Sequence, residues 1–286
     1  MITLRNGHSF EYMAASGSLA FDGKGWLWEQ PLRWAGLLDP SLFTVVTKTL
    51  TLHPRKGNLR WYWPYGCVRF IPGGTLNAVA LTNPGIRWWC GNVGPKVDRM
   101  KIPLGVSILG EPDELVQMVW MLEGYDVLFL EILVSCPNIG DDLWANSGKA
   151  IESCRRVRQE TDLPLILKLS VANDVDEIVP AVQGIVDAFS INSVPWRIAF
   201  PEQRSPLERF GGGGVSGKAA QPYTWPLLRK LTRMSDIPVI GPSVWDYGDI
   251  AGVRKLGAGA IGIGSAALRY PWRPTLFVRR DQKERR

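Results

Sequence analysis

Glu131-Ile132-Leu133-Val134-Ser135-Cys136-Pro137-Asn138 is an apolar run that stops abruptly in a thiol, a proline and an amide. Such a run reads as a strand buried on both faces, and Pro137 ends it because proline has no N–H to give to a ladder. Further along, Leu165-Ile166-Leu167-Lys168-Leu169-Ser170 repeats the pattern with a lysine inside the run. A lysine in a buried strand is costly unless a charge or a bound group meets it. Thiol and lysine on successive strands therefore mark one end of a sheet as the place for chemistry.

Working outward from these two runs, apolar segments recur at Tyr12 to Ala15, Phe43 to Thr47, Leu104 to Ile108, Val127 to Leu133, Leu165 to Leu169, Ala188 to Ile191, Val239 to Ile240 and Ala260 to Ile263. Between several of them lie helical patterns. Pro112 to Glu123 sets Leu115, Val116, Val119 and Trp120 on one side, and Lys149 to Glu160 does the same with Ile151, Cys154 and Val157. Alternating strand and helix predicts parallel strands joined by crossovers. Eight strands in 286 residues predict an α/β fold, a (β/α)8 TIM barrel in a single domain spanning 1–286. Short strands within 1–10 precede the barrel, and a basic tail, 279–286, follows it as a solvated terminus.

In such a barrel the site lies at the carboxyl ends of the strands. The residues found there are polar or glycine: Ala15-Ser16-Gly17, Thr47-Lys48-Thr49, Ser107, Ser135-Cys136-Pro137-Asn138, Lys168, Asn192-Ser193, Gly241-Pro242-Ser243 and Gly264-Ser265. Two glycine-containing segments, Gly211 to Gly217 and Gly257 to Ser265, add backbone N–H groups suited to a phosphate. Gly264-Ser265 falls after the eighth strand, a position barrels often use for that purpose.

Composition narrows the class. No apolar stretch approaches the roughly 20 residues that span a bilayer, and the first residues lack the apolar core of a signal peptide, so a soluble, cytoplasmic protein is expected. Four scattered cysteines form no disulfide framework or paired metal site, and the two histidines, His8 and His53, lie far from the strand ends; no metal is expected. The net charge of +6 sits partly in the tail, which argues against a nucleic-acid partner. Of the thirteen tryptophans, Trp61, Trp63, Trp88 and Trp89 flank one segment and are expected to pack or to form a subunit contact.

Read together, these signatures resemble the class 1 dihydroorotate dehydrogenase family over nearly the whole chain. They are Ala15-Ser16-Gly17, Thr47-Lys48-Thr49 with Arg55 and Gly57-Asn58, Leu76 to Gly85, Ser135-Cys136-Pro137-Asn138, Lys168, Asn192, and Gly213 to Gly217 with Pro222. The resemblance implies an FMN-dependent oxidation of dihydroorotate to orotate in pyrimidine biosynthesis. Cys136 would be the general base, a role that suits a thiol whose pKa is drawn down from about 8.5. Lys168 would stabilise the reduced flavin, and Lys48 would lie along its ring. Ala15, Ser16, Gly17, Thr49, Ser107, Ser216, Gly217, Ser243, Gly264 and Ser265 complete the implied FMN site. Lys48, Asn77, Val79, Ala80, Leu81, Asn138, Asn192 and Ser193 form the implied substrate site. A homodimer is implied. The lack of a membrane-associating N-terminal helix and the cysteine at Cys136 point away from the quinone-linked class. The Asn77 to Gly85 stretch resembles the NAD-linked subclass, whose partner subunit carries FAD and an iron–sulfur cluster.

The chain departs from the family pattern at Leu133, where asparagine is expected, at Ser107, and at Gly241-Pro242-Ser243-Val244, which replaces a glycine pair. Leu133 motivates an alternative: a related flavin oxidoreductase acting on another reduced ring.

Overall fold

The computed structural model describes residues 1–60, 66–134 and 146–285. The chain opens with an antiparallel hairpin, β1 (Ile2–Thr3) and β2 (Ser9–Phe10), and enters the barrel with β3 (Tyr12–Ala14) and β4 (Thr44–Val46). A second hairpin, β5 (Val68–Ile71) and β6 (Gly74–Asn77), interrupts the barrel before β7 (Leu104–Ile108), β8 (Leu130–Leu133), β9 (Leu165–Leu169) and β10 (Ala188–Ile191). Two short strands, β11 (Val194–Pro195) and β12 (Gly214–Gly217), join that hairpin before β13 (Ile240–Gly241) and β14 (Ala260–Ile263) finish the barrel.

The eight barrel strands are parallel and run round the wall in chain order. β14 pairs with β3, and a bridge from Phe189 to Val239 joins β10 to β13, so the wall closes on itself. Seven of the predicted runs contain their observed strands, and the eighth, Val239 to Ile240, is shifted by one residue to Ile240–Gly241. The predicted helices are also present, as Pro112–Leu122 and Ser147–Glu160. Pro112 starts the first, where its missing N–H costs nothing, and the Asn146 side chain caps the second by accepting from the Lys149 N–H at 3.1 Å.

Three expectations need correction. Trp120 does not share the buried face of its helix: that face centres on Leu115, Met118, Val119 and Leu122, and each residue turns about 100°, which carries Trp120 past its edge into solvent. There its indole N–H donates to Glu160 at 2.8 Å. The basic tail is not merely solvated; it lies largely in the helix Arg273–Glu284, pinned by buried Asp281, which accepts from Arg254 and Tyr12. The Gly211 to Gly217 segment, read as a source of backbone N–H groups for a phosphate, is strand in its second half, where β12 forms a ladder with β6 from Gly214↔Asn77 to Gly217↔Gly74. Of the four tryptophans singled out above, Trp89 is buried and Trp88 exposed, while Trp61 and Trp63 lie outside the described residues.

The amino ends of the strands are sealed. Ile2, Leu4 and Phe10 from the first hairpin pack with Met13, Val46, Leu128, Phe129, Ile166, Ala188, Ile240 and Ala260 in one apolar cluster. Phe129 fills the barrel axis so fully that a Cβ on Gly105 would lie 2.2 Å from its ring. The other end is left to polar residues, and the antiparallel sheet β11-β12-β6-β5 stands over it. Among the described residues no helix is long and apolar enough to cross a membrane.

Candidate active site

The carboxyl ends of the strands surround a cavity of about 550 Å³, floored by Met13 and Ile240. Its wall collects, strand by strand, Ala15, Ser16 and Gly17 after β3, Lys48 and Thr49 after β4, Lys168 within β9, Asn192 and Ser193 after β10, Ser243 after β13, and Gly264 and Ser265 after β14. The overlying sheet contributes Asn77, Val79, Ser216 and Gly217. Residues more than two hundred positions apart thus face one space because a closed barrel gathers every strand end on one rim.

Three of the expected residues do not line it. Ser107 is fully buried one layer below, where its hydroxyl meets Thr49 Oγ1 at 3.0 Å; Thr49 in turn meets Ser16 Oγ at 3.0 Å. Ser107 thus supports the wall through a chain of hydroxyls. Leu81 is buried against Leu109 and Leu133, and Ala80 precedes it in the same turn, both at positive φ. Leu133 accordingly sits in an apolar contact of its own. Cys136 and Asn138 lie outside the described residues.

Asn83 spends its side chain on its own loop, accepting from the Thr51 and Gly85 N–H groups and donating to Leu81 O at 2.7 Å. It is a turn-holding residue. Asn192 is placed by its N–H to Leu169 O at 2.7 Å, and its side-chain oxygen accepts from the Ser193 N–H at 2.8 Å.

Sequence reading missed the counter-charge of Lys168. Glu131, on β8 and wholly buried, accepts from Lys168 Nζ at 3.2 Å with one oxygen and from Ser190 Oγ on β10 at 3.0 Å with the other. The rule that flagged the lysine applies equally to a glutamate opening an apolar run. Also missed was a wall segment before the first short helix. Trp26 and Trp28 stack there with ring centroids 5.2 Å apart, and Trp26 Nε1 donates to Gly17 O at 3.1 Å. Beside them, burial pushes the Glu29 carboxyl up to about 7, although the Trp26 N–H donates to it.

Two local features of the cavity bear on what it could hold. Thr75 lines it with a buried hydroxyl that has no hydrogen-bond partner among the described residues, an arrangement proteins rarely leave unfilled. Gly217, on the cavity wall, takes φ +87 and has no room for a Cβ, which would lie 2.7 Å from the Trp245 ring, so only glycine lets the strand pack there. Among the described residues no group of acidic, histidine or cysteine side chains is arranged to hold a metal ion.

Comparison with known proteins identifies relatives of the chain and of its fold. The chain is 32% identical over 280 residues to a protein of Desulforudis audaxviator named dihydroorotate dehydrogenase B (NAD(+)), catalytic subunit, covering 94% of this chain and 85% of that one. A protein of the same name from Enterococcus faecalis is 29% identical over 243 residues, 81% of this chain and 76% of its own. The crystal structure of a ligand-free dihydroorotate dehydrogenase from Eimeria tenella superposes with a TM-score of 0.68 at 15% identity, over 98% of this chain and 84% of that one, and so shares the fold. The dihydroorotate dehydrogenase family model matches residues 31–272. This chain belongs to the dihydroorotate dehydrogenase family.

Proposed function

We propose that the chain oxidises dihydroorotate to orotate in pyrimidine biosynthesis, as the catalytic subunit of a dihydroorotate dehydrogenase. The observation that carries this reading, beside family membership, is the convergence of Lys48, Lys168, Asn77 and Asn192 on one cavity at the carboxyl ends of the strands. The family is one of flavoenzymes, and we take the flavin to be FMN. When bound, it supplies the acceptor for a hydride from the substrate ring.

The residues present fit such a group. Ala15, Ser16, Gly17 and Thr49 form one side of its site, with Ser107 behind them. Gly217, Ser216, Ser243, Gly264 and Ser265 offer small side chains and backbone for a phosphate, which needs donors and close approach rather than bulk. Lys168 would hold positive charge beside such a group, and a preorganised charge is most effective where water is excluded. Lys48 orients the ring and the substrate. Asn77, Asn192 and Ser193, with Asn138, read the substrate, because an amide both donates and accepts. Val79, with Ala80 and Leu81 behind it, shapes the same wall. Cys136 removes the substrate proton as a thiolate.

Turnover then needs an outlet for electrons. We assign it to NAD through a partner subunit with FAD and an iron–sulfur cluster, since the relatives above are named as catalytic subunits of NAD(+)-linked enzymes. A homodimer is expected as the unit that partner binds. The alternative substrate suggested by Leu133 is not favoured: the family model and the named relatives support dihydroorotate, and Leu133 itself clusters with Leu81 and Leu109.

Anaerobic titration with dihydroorotate, following the visible flavin absorption, tests the reading. Bleaching by one equivalent per site is expected, and Cys136→Ala should keep the flavin but lose the bleaching. A yellow protein that dithionite bleaches and dihydroorotate does not would overturn the assigned substrate.

A further inference from the structure

We infer that Glu131 is a positioning residue that both aims Lys168 into the cavity and sets how much positive charge it delivers to a bound flavin, with Ser190 locking the carboxylate. The inference rests on the flavin reading given above and goes beyond it, because it concerns the setting of the cofactor's reactivity rather than the reaction.

Three successive strands build the arrangement. Lys168 on β9 is in register with Leu133 on β8 and with Ser190 on β10. Glu131 stands two residues before Leu133, so it points to the same side of its strand, one step lower in the barrel. The Lys168 side chain therefore meets the carboxylate from above and Ser190 meets it from the far side, at 3.2 and 3.0 Å. All three residues line the cavity, and none is more than 9% exposed. A lysine head on four rotatable bonds has no fixed position of its own; held from below by a carboxylate whose second oxygen is already committed, it has one.

The pair also divides the charge. A bare ammonium at the cavity floor would present a full positive charge in a place where water screens little. With Glu131 against it, the same lysine presents the positive end of a dipole. The family's lysine thus acts through a balance that its neighbouring strand controls.

Glu131→Gln separates the two roles, because the amide oxygen keeps the shape and can still accept from Lys168 while the negative charge is gone. The probe is sulfite, which adds to oxidised flavin more tightly the more positive the surroundings of the ring. In the FMN-loaded protein, Glu131→Gln is expected to tighten sulfite binding about tenfold, equivalent to about 30 mV in the two-electron potential. The same change made in a Lys168→Met background should shift sulfite affinity far less, since no ammonium is then left for the carboxylate to aim or to balance. A purely structural Glu131 would lower the melting temperature and leave sulfite affinity alone. Affinity within twofold of the unaltered protein, or an equal shift in both backgrounds, overturns the inference.

Should Glu131→Gln fail to fold, Ser190→Ala carries the test. Removing a donor from the carboxylate concentrates its charge on Lys168, and sulfite should bind about two- to threefold more weakly; no change overturns the inference. Failure of the unaltered protein to take up FMN overturns the functional reading itself, whereas uptake with unmoved sulfite affinities overturns only the role of Glu131.

Discussion

The two ends of this barrel are built from the same strands and obey opposite rules. At the amino end, Phe129, Ile166, Met13 and Val46 from the wall and Ile2, Leu4 and Phe10 from the hairpin fill the space until not even a Cβ fits at Gly105. At the carboxyl end the same strands stop in Ser, Lys, Asn and Gly and leave about 550 Å³ open. The apolar end supplies stability through close packing. The polar end holds a buried ion pair and a hydroxyl with no partner among the described residues, which cost stability and, in the function proposed above, would serve a ligand. Stability and chemistry are thus segregated along the barrel axis.

The strongest way to break this contrast is at the amino end. Phe129→Ala should cost about 3–5 kcal/mol of stability, read as a fall in denaturant midpoint, while ligand affinity at low temperature stays near that of the unaltered protein. Equal damage to binding would show that the two ends are not separable.

Next, removing both charges of the pair, as Lys168→Met with Glu131→Gln, should leave stability within about 1 kcal/mol or raise it, because desolvated ion pairs often contribute little net. Turnover should nevertheless drop by about a hundredfold or more. Steady-state kinetics beside thermal melts would decide it; a large loss of stability would assign the pair to the scaffold.

Asn192→Ala tests the wall rather than the floor. Leaving a substrate amide unpaired costs about 1–3 kcal/mol, so the KM for dihydroorotate should rise roughly tenfold to a hundredfold with little change in melting temperature.

A smaller effect is expected at Glu29, whose carboxyl burial pushes up to about 7. The folded state keeps a proton that the unfolded chain releases near pH 4.5, so stability falls as pH rises from about 4.5 to 7, and the penalty is complete above that window. Glu29→Gln should flatten this part of the profile and stabilise the protein at pH 8 by about 1–2 kcal/mol; an unchanged slope in pH-dependent unfolding would show that Glu29 is well solvated.

The smallest change is Ser243→Gly. Ser243 holds φ +62 at the cavity wall, a conformation that costs a side chain about 1 kcal/mol, but its hydroxyl also meets Thr224 Oγ1 at 2.9 Å. The two contributions oppose each other, so the net should stay within about 1 kcal/mol. A larger gain in chemical denaturation would reveal strain stored for binding.

Much of this design is legible in the chain. Apolar runs such as Leu165–Leu169 read as strands because they are too short for a buried helix and are bounded by proline or turn-forming residues. Their order round the barrel follows from alternation with helices. Lys168 and Lys48 also announce themselves, as charges where burial is expected. The sheet over the mouth was not legible: Gly211 to Gly217 has the composition of a loop, and Gly214–Gly217 within it becomes a strand because Gly74 to Asn77 offer it a ladder. Trp120 misled for a related reason, since helical spacing tells which residues share a face but not how wide the neighbouring surface is.

From the sequence alone came the eight strands, their direction and the polar character of their carboxyl ends, all of which depend on local pattern and chain order. The tertiary structure decided that Phe189 meets Val239 to close the wall, that Ser107 stands behind Thr49 instead of facing the cavity, and that Lys168 is held by Glu131, 37 residues away, and Ser190. The physical reason is that contacts between strands depend on register and shear, which no single strand encodes and which are set when the barrel closes.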